Sequence, residues 1–494
     1  MSSSHAKKVL LQFGAWEPDD VLLNGQQAPE ARNVIPGKRG YRYMPGVSRL
    51  SFPQLPGGRC LAACTLRDVN GDLLTLAASS SGPVYALQGG EWVAKLTDET
   101  VSTNRVFANW GPSLYMLYGT SLYKSTVSGG FGDFSAVSDA PTAQCMAIVK
   151  EFLVLGDLTG NRQRIRWSAM DDPDTWPEPG TDDAAAKQSD YQHFPEGGRV
   201  MAVMGAVGQT DGVVFLERSV QRMTYVGPPY IFNFHQIDAV RGLLAPKSPV
   251  NFGGGCIYLS DDGWYITDGS STKALGIERI DTWFFSQVEH TRIPEITGWH
   301  DPVNRICIWA FPSKVAEAGV LDRVLIYSYD LDKWSYGILS VQTLFGDYAR
   351  GETLDDLDKY GTLDALPFGS LDVPAFMTGR SLMGCFDSGG YMGVLNGKPL
   401  EAVIETQEIG GDRMMVHGLR PLVDRGDAKA LPIYRTRQQE QPKYGPLRSQ
   451  SRDGVCYQHI STNYLSARVV IPGGGTAWRD AHGVEALIEP EGGM

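Results

Sequence analysis

The sequence predicts an all-β protein: a β-propeller core of about six to seven blades, with an extended N-terminal arm and a small C-terminal β-domain. Three observations point there. One pattern recurs along the chain, an apolar run, a polar or Gly turn, and a second run that carries aromatics. Gly and Pro, 57 and 29 of 494 residues, are scattered so evenly that few stretches can hold a helix of four turns. Val, Ile, Thr and Tyr gather in runs of four to seven, the length of short strands.

Residues 1–60 come first. They carry eight Lys and Arg against four acids, and "NVIPGKRGYRYMPGVSRL" is too rich in Pro, Gly and Tyr for a helix. The expectation is a docking arm that lies along a neighbouring surface, with Arg32, Lys38, Arg39, Tyr41, Arg42 and Tyr43 as interface candidates. Residues 61–344 hold the repeat, with copies starting at Leu73, Leu114, Phe152, Val213, Cys256 and Ile306 and spacings of 41, 38, 61, 43 and 50 residues. A four-stranded sheet cannot cover both its own faces, so such units stack about an axis and close into a ring. A pair of β-sandwiches also makes evenly spaced hairpins, but rarely holds such a period through six units. A weaker seventh copy starts at Leu382. The longest helix candidate is Glu278 to Ile293, closed by Pro294.

Residues 345–380 form an insertion that repeats Leu-Asp; its stretch 351–376 has six acids against one Lys, and it reads as an exposed loop. Residues 381–494 contain the closing hairpin and the C-terminal β-domain. Between 413 and 452, nine Arg and Lys face three acids, which makes Arg435, Arg437 and Arg448 further interface candidates in a chain of net charge −12.

That net charge argues against a general binder of nucleic acid or anionic membrane. No run of about 18 apolar residues occurs, so no membrane-spanning segment is expected. The apolar stretch near the start is too short for a signal peptide. The seven cysteines sit largely in apolar runs, which fits reduced thiols in a cytoplasmic compartment. No metal-binding, phosphate-binding or nucleophile-elbow motif is present, and the eight histidines are never four apart. Cys60 and Cys64 alone are weak grounds for zinc. The acidic loop Asp171–Asp183 lacks the ligand spacing of a calcium loop and reads as a solvated turn. "SAMDDPDTW" and "SYDLDKWS" loosely match the structural Asp-box turn of sialidase propellers. No catalytic residues, cofactor or metal is assigned.

Several stretches together resemble one family. "FGAWEPDDVLLNGQQAPEARNVIPGKRGYRYMPG", "RWSAMDDPDTW", "VVFLERSVQRMTYVGPPYIFNFHQI" and "YLSDDGWYITDG" are similar, in that order, to tail hub or nozzle proteins of short-tailed bacteriophages. The resemblance covers residues 12–340 and returns in "NYLSARVVIPGGGTAW". It implies a non-enzymatic virion protein, assembled in the host cytoplasm and located in the tail. Such a protein forms a ring, taken here as a hexamer, below the portal adaptor or head-to-tail connector. Tail fibres or spikes and a tail needle or plug are its further partners, and genomic DNA passes through the lumen without specific binding. Acids lining that lumen would repel DNA within about 8 Å, the Debye length at physiological salt. The alternatives are a propeller glycosidase or lyase acting on surface polysaccharide and a non-catalytic receptor-binding module.

Overall fold

The repeat copies mark the middles of blades. In the computed structural model, which describes residues 7–20, 27–68, 72–97, 104–348 and 382–491, each copy supplies the second and third strands of a four-stranded antiparallel sheet. The second strands are Leu73–Ser79, Ser113–Tyr118, Phe152–Leu158, Gly212–Leu216, Cys256–Leu259, Ile306–Phe311 and Leu382–Asp387. Neighbouring blades cover both faces of these strands, so Ser113–Tyr118 and Phe152–Leu158 are buried at every position. Continuous apolar runs rather than alternation are the result.

Seven first strands circle the axis: Cys60–Arg67, Arg105–Trp110, Cys145–Val149, Val200–Gly205, Val250–Asn251, Thr297–Asp301 and the second half of Lys333–Tyr348. Adjacent ones touch all the way round. The Asn104 side chain donates to the Gln144 carbonyl at 2.8 Å, and that of Asn251 to the Gly205 carbonyl at 3.1 Å. Gly298 N–H donates to the Lys247 carbonyl at 3.0 Å, and the Thr65 hydroxyl bonds the Gly346 carbonyl. Close approach excludes side chains at two of these contacts. A Cβ on Gly205 would lie 2.0 Å from the Ile148 carbonyl oxygen, and one on Gly346 2.0 Å from the Trp299 ring.

The ring closes through the N-terminal segment. Lys333–Tyr348 is the outer strand of the sixth blade up to Val341, where it passes inward and becomes the first strand of the seventh. That blade continues through Leu382–Asp387 and Met392–Val394, and Ser48–Arg49 is its outermost strand.

The other described parts of residues 1–60, read from the sequence as a docking arm, pair within their own chain. Lys7–Gln12 runs antiparallel to Ala481–Pro490, and Ala31–Arg32 is wedged between Lys333–Tyr348 and Ala402–Glu405. The cause is apolar: Leu11, Phe13, Trp16, Ala31, Val34 and Tyr41 are all buried in one cluster. That cluster also contains Trp264, Trp309 and Trp334 of the fifth and sixth blades and Val416, Leu465 and Val484 of the C-terminal strands. The C-terminal β-domain, built on the long strands Ile409–Val423, Cys456–Ile471 and Ala481–Pro490, therefore shares its core with the propeller.

Two polar contacts fix the segment. Asp19 accepts from the amides of Thr282 and Trp283 at 2.6 and 2.8 Å, capping helix Asp281–Gln287, whose own N-cap residue Ile280 offers no side-chain bond. Asn33 sits with φ at 57°, in the left-handed region that Asn tolerates better than most residues. The helix is shorter than the sequence suggested. It ends at Gln287 because Val288 turns extended to bridge Ser313, and a 3-10 turn, His290–Glu295, follows. The Leu-Asp insertion falls, from residue 349 to 381, outside the described residues.

Candidate functional site

The interface candidates separate into those that hold the fold and those that face solvent. Tyr41 is buried and its hydroxyl donates to the Gly14 carbonyl at 2.8 Å, so it leaves the interface set. Burial also raises its pKa far above the ordinary phenol value. Tyr43 packs its ring edge-on to Trp478. Arg42 is half-buried and bonds the Asn304 carbonyl, and desolvation lowers its pKa. Arg32 pairs with Glu401 at 3.4 Å. Arg435 is paired with Glu408 at 2.5 Å and lies over the Tyr464 ring, with a tenth of its side chain exposed. These five serve internal contacts. Lys38 and Arg39, at the tip of the hairpin Val34–Tyr43, and Arg437 and Arg448 are exposed.

Arg437 and Arg448 belong to a continuous feature. Residues 436–454 leave strand Lys429–Arg435 as a flap of two short strands, Lys443–Tyr444 and Arg448–Ser449, which pair back onto it. Most of the flap is exposed, including Tyr444 at 58% and Leu447 at 45%. It carries Arg437, Lys443, Arg448 and Arg452 against Glu440 and Asp453. Among the described residues no carboxylate lies within ion-pair distance of these four cations. The charge is therefore available to a partner, with aromatic and aliphatic surface beside it. Composition pointed to the segment; it gave no sign that Arg435 was already engaged. A second exposed aromatic, Tyr230 at 79%, tips a hairpin of the fourth blade and was not singled out in the sequence.

On the propeller axis lies a cavity of about 440 Å³, at the face where the first strands begin. Arg59, Asn104, Gln144 and Arg199 each stand directly before a first strand, and Lys247, Glu295 and Gln342 complete the circle. Sequence reading passed over these residues because they are tens of residues apart. Their shared position before each inner strand is the signal that could have gathered them.

The other candidates are structural. Among the described residues no group of three or more His, Cys, Asp and Glu is placed to hold a metal ion. Cys60 and Cys64, four apart on one strand, are about 13 Å apart by strand rise. They pack into different apolar clusters. Burial pushes the Cys64 and Cys145 thiols up to about 12, which keeps them protonated and poorly nucleophilic. In the acidic loop Asp172 accepts from Asp174 N–H and the Thr175 hydroxyl, Asp174 pairs with Lys124, and Asp183 pairs with Lys187. Trp176 is buried below. Three of its carboxylates, Asp172, Asp174 and Asp183, are thus engaged in contacts within the fold.

No family model matches the chain, and no curated protein matches it. Solved structures similar to it include the WD40 domain of Neurospora crassa Pan2, at 9% identity over 71% of this chain and 94% of that one, TM-score 0.39. BamB from Moraxella catarrhalis matches at 10% identity over 74% and 93%, TM-score 0.33. The computationally designed Ika8 protein matches at 8% over 71% and 99%, TM-score 0.36. The propeller assignment rests on the strand pairings described above.

Proposed function

We propose that this chain is a structural subunit of a short phage tail, a hub or nozzle protein that assembles as a ring below the portal adaptor and carries fibres or spikes. The basic flap is the observation that carries this reading. A surface with four cations that meet no carboxylate among the described residues, on a protein of net charge −12, suits an acidic neighbour, and acidic surface is what further copies of this chain offer. The sequence likeness to tail hub proteins supports the same reading. So does a closed propeller whose core is continuous with the flap-bearing sheet, because a conduit needs subunits that do not flex under load.

The axial cavity has the volume of a small-molecule pocket, so in this reading DNA travels along the ring axis between subunits and not through the propeller. The test is incorporation of an Arg437→Glu, Arg448→Glu double variant into tails. The reading expects heads without tails, with the melting temperature of the purified variant unchanged. Normal incorporation of the double variant would overturn it.

A further inference from the structure

The axial cavity holds a charge arrangement that the tail reading does not use. Its lining includes Arg59, Arg162, Arg199, Lys247 and Arg292 against Asp157 and Glu295. Glu295 is shared: Arg292 meets it at 2.9 Å and Arg59 at 3.3 Å. Asp157 is shared as well, with Arg162 forming a two-bond fork at 2.8 and 2.9 Å and Arg199 at 3.8 Å. Arg199 has one further partner, Glu217 at 2.9 Å, outside the lining. Lys247 has none: among the described residues no carboxylate lies within ion-pair distance of its ammonium. Five cations thus meet three carboxylates, a surplus of two positive charges in an acidic protein.

Such a surplus is costly unless something answers it. Burial depresses the Lys247 pKa, with the nearby guanidiniums of Arg59 and Arg105 adding to the fall and Cys60 and Glu295 opposing it. A second charge source would favour its charged form. The Gln144 side chain lines the cavity beside the cations, while the amides of Asn104 and Gln342 already donate to backbone carbonyls. Guanidinium forks and an ammonium around a pocket of this size match a compact oxyanion with several acceptor oxygens.

We infer that the axial mouth of the propeller is a binding site for a phosphate group, held chiefly by Lys247 and Arg59, with Arg199 also in its lining. The phosphate source is a free ion or the terminal group of a small ester. Bound there, the dianion would tie together first strands from opposite sides of the ring and stiffen the propeller by linkage.

The test is calorimetric titration of the full chain with inorganic phosphate, at constant ionic strength set with chloride. One saturable site is expected, weakened about tenfold or more in Lys247→Met and in Arg59→Gln, the usual scale for loss of one charge-assisted bond. The Arg437→Glu, Arg448→Glu protein should bind as the parent does. A parallel titration with a nucleoside monophosphate separates the sources: tenfold tighter binding indicates an ester, equal or weaker binding the free ion. The inference is overturned by absence of a saturable site in the parent, or by binding that folded Lys247→Met and Arg59→Gln proteins retain. Should Lys247→Met not fold, Arg59→Gln decides alone, since Arg292 keeps Glu295 paired in that variant.

Discussion

Asn33 bonds both the propeller and the residue that precedes strand Ala402–Glu405, and replacing it gives a sharp test. Its side chain donates to the Glu401 carbonyl at 2.8 Å and accepts from Ile338 N–H at 2.7 Å, while its backbone N–H donates to the Tyr336 carbonyl. The residue is 7% exposed with φ at 57°. Asn33→Ala removes both side-chain bonds and leaves two buried groups unpaired, about 1 kcal/mol or more each. It also forces Ala into the left-handed region at a further cost of about 1 kcal/mol. The expected loss is about 3–4 kcal/mol. Asn33→Gly loses the same bonds without the strain, so it should fall about 1 kcal/mol short of that. Urea denaturation followed by tryptophan fluorescence reads both, because Trp16 packs 4.7 Å from Trp283 at this junction. Hydrogen exchange at Ile338 localises the effect. Two variants both within 1 kcal/mol of the parent, or a Gly variant no better than Ala, would refute the reasoning.

Other consequences follow from the same junction. Asp281 has its pKa raised to about 7 by burial, with Asp19 and Asp262 adding to the rise and the Trp264 amide opposing it. The folded state therefore keeps a proton that the unfolded chain loses above about pH 4, and this group's contribution to stability falls as pH rises from about 4 to 7. Asp281→Asn should flatten that slope and be more stable than the parent at pH 8 by about 1–2 kcal/mol after allowance for solvent screening, read from denaturation midpoints across pH; an unchanged slope would count against it. Asp19→Ala should cost about 1–2 kcal/mol and speed hydrogen exchange in helix Asp281–Gln287, since it removes the only side-chain cap found there among the described residues. Truncating residues 1–40 should expose the core and broaden unfolding, because Leu11, Phe13, Trp16 and Val34 go with it; a truncated chain melting as sharply as the parent would contradict this.

What could be read in advance follows from where each residue sits in a blade. The second strands, such as Phe152–Leu158, are covered on both faces, so their runs from Leu73 to Leu382 stood out and the repeat could be counted. First and fourth strands are short or half-exposed, as in Val250–Asn251 and Glu91–Leu96, and carry no periodic signal. The N-terminal segment read correctly as extended, since Pro and Gly forbid a helix. Its partners did not, because Ala31–Arg32 and Ser48–Arg49 are too short to carry a pattern and pair with strands hundreds of residues away. Among the site candidates, composition could find the basic stretch 413–452 but could not separate Arg435, neutralised by Glu408, from Arg437 and Arg448, which have no carboxylate at ion-pair distance among the described residues. The axial cluster was invisible for the same reason in reverse, being assembled only by closure of the ring.

The tail reading is tested most directly by electron cryomicroscopy of particles that carry this chain. The account predicts a closed ring of copies below the connector, each basic flap against a neighbour, with the lumen on the ring axis and the propeller axes outside it. A tail in which this chain is a lone receptor-tip protein, or in which the DNA path runs through the propeller centre, would contradict it.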